Sequence, residues 1–289
     1  MKDFQYTAPN TVENATRLLS EHGSRAKILA GGTDIIVQLR EGMCEADVVV
    51  DIKKIPELVQ YQYASDSGLT LGAAVSCCNL YEDSQLADLY GALADSSRII
   101  GGWQIQSRAS VGGNLCNASP AADCIPALIA LNATAHITGP DGERQVAVED
   151  FCISPGTNIL DDGEFLISLH IPAQSANMAS AYERFIPRNE MDIAVVGVGS
   201  WVSLDDAGRI TAARISLGAV AATPLFAAAA SDHLIGKEPT EENFAQAGEL
   251  AQQIATPITD MRGTAAYRTH LVAVLVKRTL TTAVQRATA

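Results

Sequence analysis

The feature that most constrains this chain is a segment rich in small residues, which covers residues 98–131. It contains two adjacent glycine pairs, Gly101-Gly102 and Gly112-Gly113, with serine and asparagine residues between and after them. Because these side chains are small, backbone N–H groups in such a loop can come close to a ligand. An apolar helical run follows, and Asp123 stands where its N-cap would lie. The pattern fits a loop that binds a phosphate-bearing cofactor, with an ordinary surface loop as the alternative.

Another glycine pair lies earlier in the chain, inside a predicted βαβ unit. A short buried strand at residues 27–30 leads into Gly31-Gly32-Thr33-Asp34, a helix at 35–41 and an apolar strand at 48–50. Asp51 follows Gly31 by 20 residues, as the ribose-binding acid of a Rossmann domain would. However, the turn lacks the G-x-G-x-x-G pattern, and the next segments alternate as an antiparallel hairpin around residues 66–68. The sequence therefore disfavours a Rossmann domain.

The second half of the chain shows no glycine-loop chemistry. Residues 173–179 are small and polar, which indicates a domain boundary, and three long strands follow at 180–187, 193–204 and 210–220. The remainder is predicted to be helical, at residues 224–234, 241–255 and 263–286. This half is thus a three-stranded β-meander backed by helices.

Composition excludes several classes of protein. The formal net charge is −13 at pH 7, and no Lys/Arg cluster interrupts it, so a nucleic-acid partner is not expected. No apolar run approaches the roughly 20 residues of a membrane span. The N-terminus also lacks the apolar core of a signal peptide, so we expect a cytoplasmic protein. The six cysteines show no CxxC spacing and the five histidines are scattered, so no metal site is predicted on this chain.

Several segments resemble a known family. Residues 30–40 (AGGTDIIVQLR) and 107–131 (SRASVGGNLCNASPAADCIPALIAL) resemble the two flavin-binding loops of the FAD-carrying medium subunits of molybdenum hydroxylases. That family includes the flavoproteins of xanthine dehydrogenase and carbon monoxide dehydrogenase. Residues 191–202 and 260–280 are similar to its C-terminal segments. The resemblance covers nearly the whole chain, and the VGGNLxNASPAAD pattern is specific where a bare glycine pair is not.

The resemblance implies an α+β fold. Residues 1–175 would form a two-lobed FAD-binding domain of the vanillyl-alcohol-oxidase type, with lobes at about 1–56 and 57–175. Residues 176–289 would form a C-terminal α+β domain of the CO dehydrogenase flavoprotein type, with a three-stranded antiparallel sheet and helices. The two lobes would hold an extended FAD between them.

The resemblance also implies a function and partners. FAD on this chain would receive electrons from the [2Fe–2S] clusters of a small iron–sulfur subunit and deliver them to an external acceptor. A large molybdopterin subunit would carry out the hydroxylation, and the assembly would be a dimer of heterotrimers. The alternative is a self-sufficient flavin-dependent oxidase or dehydrogenase of a small organic substrate, because fold alone does not fix function.

Particular residues would contact the FAD if the resemblance holds. The backbone N–H groups of residues 31–34 would face one part of the diphosphate, and residues 112–114 would contact the rest. Ser110 and Asn117 would contribute a hydroxyl and an amide. The carboxylate of Asp123 would accept hydrogen bonds from ribityl or ribose hydroxyls, would cap the following helix, or would do both.

Three further residues have a predicted role at the flavin, and two of them, Lys27 and Ile167, also have a purely structural alternative. Lys27 matches a basic position beside the cofactor, although a solvated lysine at a strand edge fits equally well. Arg184 aligns with a lysine near the flavin pyrimidine edge, where a cation would stabilise the anionic reduced flavin. Ile167 would pack on the ring system or belong to the core. The full predicted set, which includes no catalytic residue, is Lys27, Leu29, Ala30, Gly31, Gly32, Thr33, Asp34, Ser110, Gly112, Gly113, Asn114, Cys116, Asn117, Ala122, Asp123, Ile167 and Arg184.

Overall fold

The first part of the chain forms a three-stranded parallel sheet in the computed structural model, which describes residues 2–289. The strands β1 (Gln5–Thr7), β2 (Ala26–Leu29) and β3 (Val48–Asp51) lie in the order β1-β3-β2. Helix α1 (Val12–His22) joins β1 to β2, and α2 (Ile35–Glu41) joins β2 to β3. The predicted βαβ unit is therefore confirmed, with the first glycine pair between β2 and α2.

A five-stranded antiparallel sheet follows after the short helix α3 (Pro56–Val59). Its order is β4-β5-β10-β6-β7, so the last strand in sequence occupies the centre. The hairpin of β4 and β5 confirms the predicted antiparallel pairing, which a Rossmann sheet would not contain. The five strands are β4 (Tyr61–Ala64), β5 (Gly68–Gly72), β6 (Thr134–Gly139), β7 (Gly142–Ala147) and β10 (Phe165–Ile171).

The long connection between β5 and β6 is helical. It contains the segment rich in small residues, 98–131, which is called the second glycine segment below. One of its helices, α9 (Cys124–Ala130), buries all seven of its residues. A small hairpin of β8 (Cys152–Ser154) and β9 (Thr157–Asn158) precedes β10. The helices are α4 (Cys77–Glu82), α5 (Ser84–Leu89), α6 (Gly91–Arg98), α7 (Trp103–Gln106), α8 (Val111–Cys116) and α9 (Cys124–Ala130).

The last part of the chain is a four-stranded antiparallel sheet covered by helices. It has a short fourth strand beyond the three predicted, because residues 225–226 pair with Ser216 and Leu217 instead of starting a helix. The backbone of an exposed sheet edge offers hydrogen bonds that a local periodicity pattern does not reveal. The elements are β11 (Met178–Phe185), β12 (Val196–Leu204), β13 (Ile210–Gly218), β14 (Leu225–Phe226), α10 (Ala228–Leu234), α11 (Glu241–Gln252) and α12 (Ala265–Ala287).

Helix α9 connects the two antiparallel sheets. The Ser216 hydroxyl on β13 donates to the Pro126 carbonyl, and Arg214 Nε donates to the Ile129 carbonyl oxygen at 3.0 Å. A Cβ at Gly199 on β12 would lie 2.9 Å from the Pro126 carbonyl carbon, so only glycine allows this close approach. Helix α9 is thereby held against β12 and β13 along its length. Among the helices of residues 2–289, none has the length and apolar character needed to cross a membrane.

Candidate functional site

A cleft with a volume of about 480 Å³ lies where the first glycine turn, residues 31–34, faces the second glycine turn, which contains Gly112 and Gly113. This size falls within the range of roughly 300–1,000 Å³ that is usual for small-molecule and cofactor sites. Four stretches form most of its lining: residues 23–28, residues 30–35, residues 109–117 and residues 158–166. The site is therefore assembled from segments far apart in the sequence.

The first glycine turn presents backbone N–H groups at the end of β2. Gly32 has a φ of +83°, which an L side chain rarely adopts. Within the described part of the chain, the N–H groups of Gly32, Thr33 and Asp34 donate to no protein acceptor. Asp34 occupies the N-cap position of α2 without a capping hydrogen bond from its side chain. Unpaired amides that point together form a concave site for an anion.

Several polar groups of the second glycine turn already make hydrogen bonds within the protein. Ser110 caps α8, because its Oγ accepts from the N–H of Gly113 at 3.1 Å. The N–H of Asn114 donates to the Ser110 carbonyl, and its own Oδ1 accepts from the N–H of Cys124 at 3.1 Å. Of the three N–H groups at positions 112–114, only that of Gly112 has no partner in residues 2–289. Ser110 and Asn114 thus fix the start of α8 and join it to α9.

The two turns contact each other directly. A Cβ at Gly31 would lie 2.5 Å from the carbonyl carbon of Arg108 and 2.9 Å from the amide nitrogen of Ala109. Glycine at position 31 is therefore required by backbone-to-backbone packing. Asn117 links the turns further, since its Nδ2 donates to Asp34 Oδ1 at 3.3 Å and its Oδ1 accepts from Gln38 Nε2 at 3.2 Å.

The structure brings most of the predicted residues to this cleft and leaves five away from its lining. Ile167 packs against the core of the parallel sheet, which fits the alternative given above, that of a core residue. Leu29 packs against a small cluster on the other side of that sheet, and Ala122 is buried in the central core. The lining residues are Lys27, Ala30, Gly31, Gly32, Thr33, Asp34, Ser110, Gly112, Gly113, Asn114, Cys116 and Asn117. Those outside the lining are Leu29, Ala122, Asp123, Ile167 and Arg184.

Asp123 and Arg184 form a buried ion pair. Asp123 Oδ2 accepts from Arg184 Nη1 at 2.7 Å, and its Oδ1 accepts from the Tyr182 hydroxyl at 2.9 Å. Arg184 Nη2 donates to the carbonyl of Ile99 at 2.8 Å. Asp123 occupies the N-cap position of α9, as its place in the sequence predicts, but its side chain makes no capping hydrogen bond. The buried pair instead ties β11 to the second glycine segment.

Burial and charge oppose each other at Asp123. Burial raises the pKa of this carboxyl to about 6, while Arg184 and the Tyr182 hydroxyl act in the opposite direction. Burial beside the Asp123 charge also raises the pKa of the Tyr182 phenol well above its ordinary value. At neutral pH the carboxylate is therefore ionised and the phenol is a hydrogen-bond donor.

Sequence reasoning missed the wall of the cleft formed by residues 158–166. Arg144 holds this segment, since its Nη2 contacts Glu164 Oε2 at 2.6 Å and the Ile159 carbonyl at 2.9 Å. Asp161 and Asp162 also line the cleft. The turn signal Asp161-Asp162-Gly163 before β10 was the available clue, but a turn sequence does not show which surface it faces.

Comparisons with known proteins agree with this arrangement. Residues 2–174 match the family model described as the FAD binding domain in molybdopterin dehydrogenase. Residues 180–283 match the CO dehydrogenase flavoprotein C-terminal domain. The chain is 30% identical to the xanthine dehydrogenase FAD-binding subunit of Escherichia coli O157:H7, covering 99% of this chain and 98% of that one.

Similar agreement comes from carbon monoxide dehydrogenases. The chain is 30% identical to the carbon monoxide dehydrogenase medium chain of Hydrogenophaga pseudoflava, with 97% of this chain and 96% of that one covered. A structure of reconstituted CO dehydrogenase from Oligotropha carboxidovorans matches with a TM-score of 0.94 at 29% identity, covering 99% of both chains. The chain therefore belongs to the family of FAD-binding medium subunits of the xanthine and carbon monoxide dehydrogenase type, and is an oxidoreductase subunit.

Proposed function

We propose that this chain holds one FAD in the cleft and passes electrons from the [2Fe–2S] clusters of a partner subunit to an external acceptor. The observation that carries the proposal is the meeting of two glycine turns. Gly31 packs on the backbone of Arg108 and Ala109, and residues with unpaired N–H groups from both turns line the same cleft. A bound flavin supplies a centre that exchanges electrons with both clusters and acceptors.

The residues present fit such a dinucleotide. We assign the diphosphate to the N–H groups of residues 31–34 and of Gly112, which have no acceptor among residues 2–289, because main-chain amides bind anions without side-chain bulk. Lys27 is the only cation among the described residues that line the cleft, and it would offset the charge of the diphosphate. Apolar side chains on the lining, such as Ile100, offer contact surface to a flat ring.

Other predicted residues act on the protein side of the site. Ser110, Asn114 and Asn117 would keep the two turns in register through the hydrogen bonds described above, and Cys116 would add to the wall. Arg184 and Asp123 would serve chiefly by holding the Ile99 carbonyl and β11 together. Contacts of Leu29, Ala122, Asp123, Ile167 and Arg184 with the flavin itself stay predictions.

We further propose the division of the chain and its assembly. Residues 1–175 would form the FAD-binding domain, with lobes at about 1–56 and 57–175, and residues 176–289 the C-terminal domain. In support, one cluster of buried apolar residues lies wholly between Ala179 and Ala287. The chain would assemble with a small iron–sulfur subunit and a large molybdopterin subunit as a dimer of heterotrimers in the cytoplasm. Its relatives named as medium chains of carbon monoxide dehydrogenase support an assembly with further subunits.

Purification of the chain, alone and with its co-purifying partners, tests the proposal. The isolated chain should show the visible absorption spectrum of flavin and should turn over no organic substrate. The partner chains should be identified by mass spectrometry as iron–sulfur and molybdopterin subunits. Turnover of an organic substrate by the isolated chain would favour the self-sufficient flavin enzyme instead, and a chain without flavin in both preparations would refute the cofactor assignment.

A further inference from the structure

A lysine that lines no part of the cleft lies directly behind the first glycine turn. Lys53 follows β3, and its Nζ donates to the carbonyl oxygen of Ala30 at 2.6 Å. Ala30 immediately precedes Gly31. The parallel register places Leu29 of β2 beside Asp51 of β3, which explains how residue 53 reaches the end of β2. A charged donor is thus fixed to the last carbonyl before the turn.

Lys53 is itself held in place by Asp51. One carboxylate oxygen of Asp51 accepts from Lys53 Nζ at 2.7 Å and from the Lys53 N–H at 3.0 Å. The other oxygen accepts from the Tyr6 hydroxyl at 2.6 Å. Asp51 is only 8% exposed. All three strands of the parallel sheet therefore contribute to one hydrogen-bonded group behind the turn: Tyr6 from β1, Asp51 from β3 and Ala30 just after β2.

The Asp51 carboxylate is charged within this group, which strengthens its hold on Lys53. Burial acts to raise the pKa of Asp51, but the hydrogen bonds from Lys53 and Tyr6 outweigh it and leave the pKa below its ordinary value. The carboxylate is therefore ionised at neutral pH. Both its oxygens accept from protein donors and Asp51 does not line the cleft, so it is not placed as a ribose-binding acid there, despite its spacing from Gly31.

Peptide geometry carries this contact to the ligand side of the turn. The carbonyl of Ala30 and the N–H of Gly31 belong to the same planar trans peptide, in which the two groups point in opposite directions. Fixing the carbonyl towards Lys53 therefore directs the Gly31 N–H away from Lys53. A cation on the carbonyl also polarises the peptide and makes its N–H a stronger donor.

We propose that Lys53, held by Asp51 and Tyr6, is a positioning residue for FAD binding, which orients the first glycine turn before the ligand arrives. The inference rests on the proposed FAD site. Glycine-rich turns lose much conformational freedom when they are ordered, and a turn that is ordered in advance spares the ligand that cost. Contact with Arg108 and Ala109 fixes Gly31 from one side, and Lys53 fixes the preceding peptide from the other.

The test is an FAD titration of the full-length, deflavinated chain, followed by flavin fluorescence. Lys53→Met should weaken FAD binding by about tenfold, because FAD would then have to order the peptide before the turn itself, at roughly the entropic cost of fixing one backbone residue. Lys54→Met is the matched control, because it removes the same charge from the exposed neighbouring position. Lys53→Arg should restore most of the affinity, and Tyr6→Phe should weaken binding by a smaller factor. The melting temperature of each apoprotein is measured alongside.

The outcomes separate positioning from stability. Lys53→Met leaves the buried Asp51 without its cation, so its apoprotein should melt below that of Lys54→Met. Weakened binding in Lys53→Met at a temperature where every apoprotein is folded, with rescue of the affinity by arginine, supports the proposal. Equal FAD affinity of Lys53→Met and Lys54→Met would overturn it. So would a loss of affinity in Lys53→Met that arginine does not rescue and that accompanies a lower apoprotein melting temperature. A wild-type chain that binds no FAD would refute the proposed function instead.

Discussion

Separate replacement of Gly112 and Gly113 by alanine distinguishes the packing role of this pair from its proposed role in ligand binding. A Cβ at Gly112 would lie 2.7 Å from the Cα and 2.8 Å from the Cβ of Ala73, whereas ordinary contacts begin at 3.4 Å. The Ala73 carbonyl oxygen is nearer still, so the backbone must shift by at least about 0.7 Å (3.4 − 2.7). Ala73 is itself fixed by the hydrogen bond from its N–H to the Ile167 carbonyl at 2.9 Å. Overpacking of this kind costs about 1–3 kcal/mol, so Gly112→Ala should lower the free energy of unfolding by about 2 kcal/mol.

Gly113 has more room. Its Cβ would meet only Ser110 Oγ, at 3.0 Å. The helix propensity gained by alanine, about 1 kcal/mol, opposes that contact, so Gly113→Ala should unfold near the wild-type midpoint. Gly113→Asp places a carboxylate on the cleft lining and should abolish retention of FAD, with Gly113→Asn as a neutral control of the same size.

Urea unfolding followed by circular dichroism measures the stability of these variants, and the ratio of flavin to protein after purification measures retention. Equal unfolding midpoints for Gly112→Ala and Gly113→Ala would refute the packing argument. Stoichiometric FAD in purified Gly113→Asp would refute the assignment of this turn to the diphosphate. Equal loss of FAD in Gly113→Asp and Gly113→Asn would show that charge is not the cause.

Two further predictions concern buried and half-buried ion pairs. Arg184→Ala should lower the free energy of unfolding by about 3 kcal/mol, because it leaves the buried Asp123 carboxylate without its cation. Arg184→Lys keeps a cation and should lower the free energy of unfolding by less. An unchanged urea midpoint for Arg184→Ala would contradict this prediction. Arg144 lowers the pKa of Glu164 through hydrogen bonds, so the stability it provides is present at neutral pH and is lost as the pH falls below about 4. The difference in urea midpoint between wild type and Arg144→Met should therefore shrink between pH 7 and about pH 3, and a difference independent of pH would count against it.

Local patterns in the sequence predicted those parts of the site that depend on neighbours along the chain. The strand, glycine turn and helix at residues 26–41 follow from hydrophobic periodicity and from the backbone freedom of glycine, which act over a few residues. The hairpin of β4 and β5 follows from alternation around a Ser-Gly turn. The two flavin-loop motifs sufficed to identify the family, because their small and polar residues occur in a specific order.

The role of each side chain at the site was decided by the tertiary structure. Asp123 and Arg184 form an ion pair although 61 positions separate them in the chain. Residues 158–166 form one wall of a cleft that residues 23–28 and 30–35 also line. Local pattern could not show that Gly31 is required by Arg108, or that Lys53 lies behind Ala30. The sequence by itself determined the strand, glycine turn and helix of residues 26–41, the hairpin of β4 and β5, and the family to which the chain belongs. Only the packed chain decided which polar groups pair with one another and which N–H groups are left for a ligand, because pairing depends on distances that folding creates between residues remote in sequence.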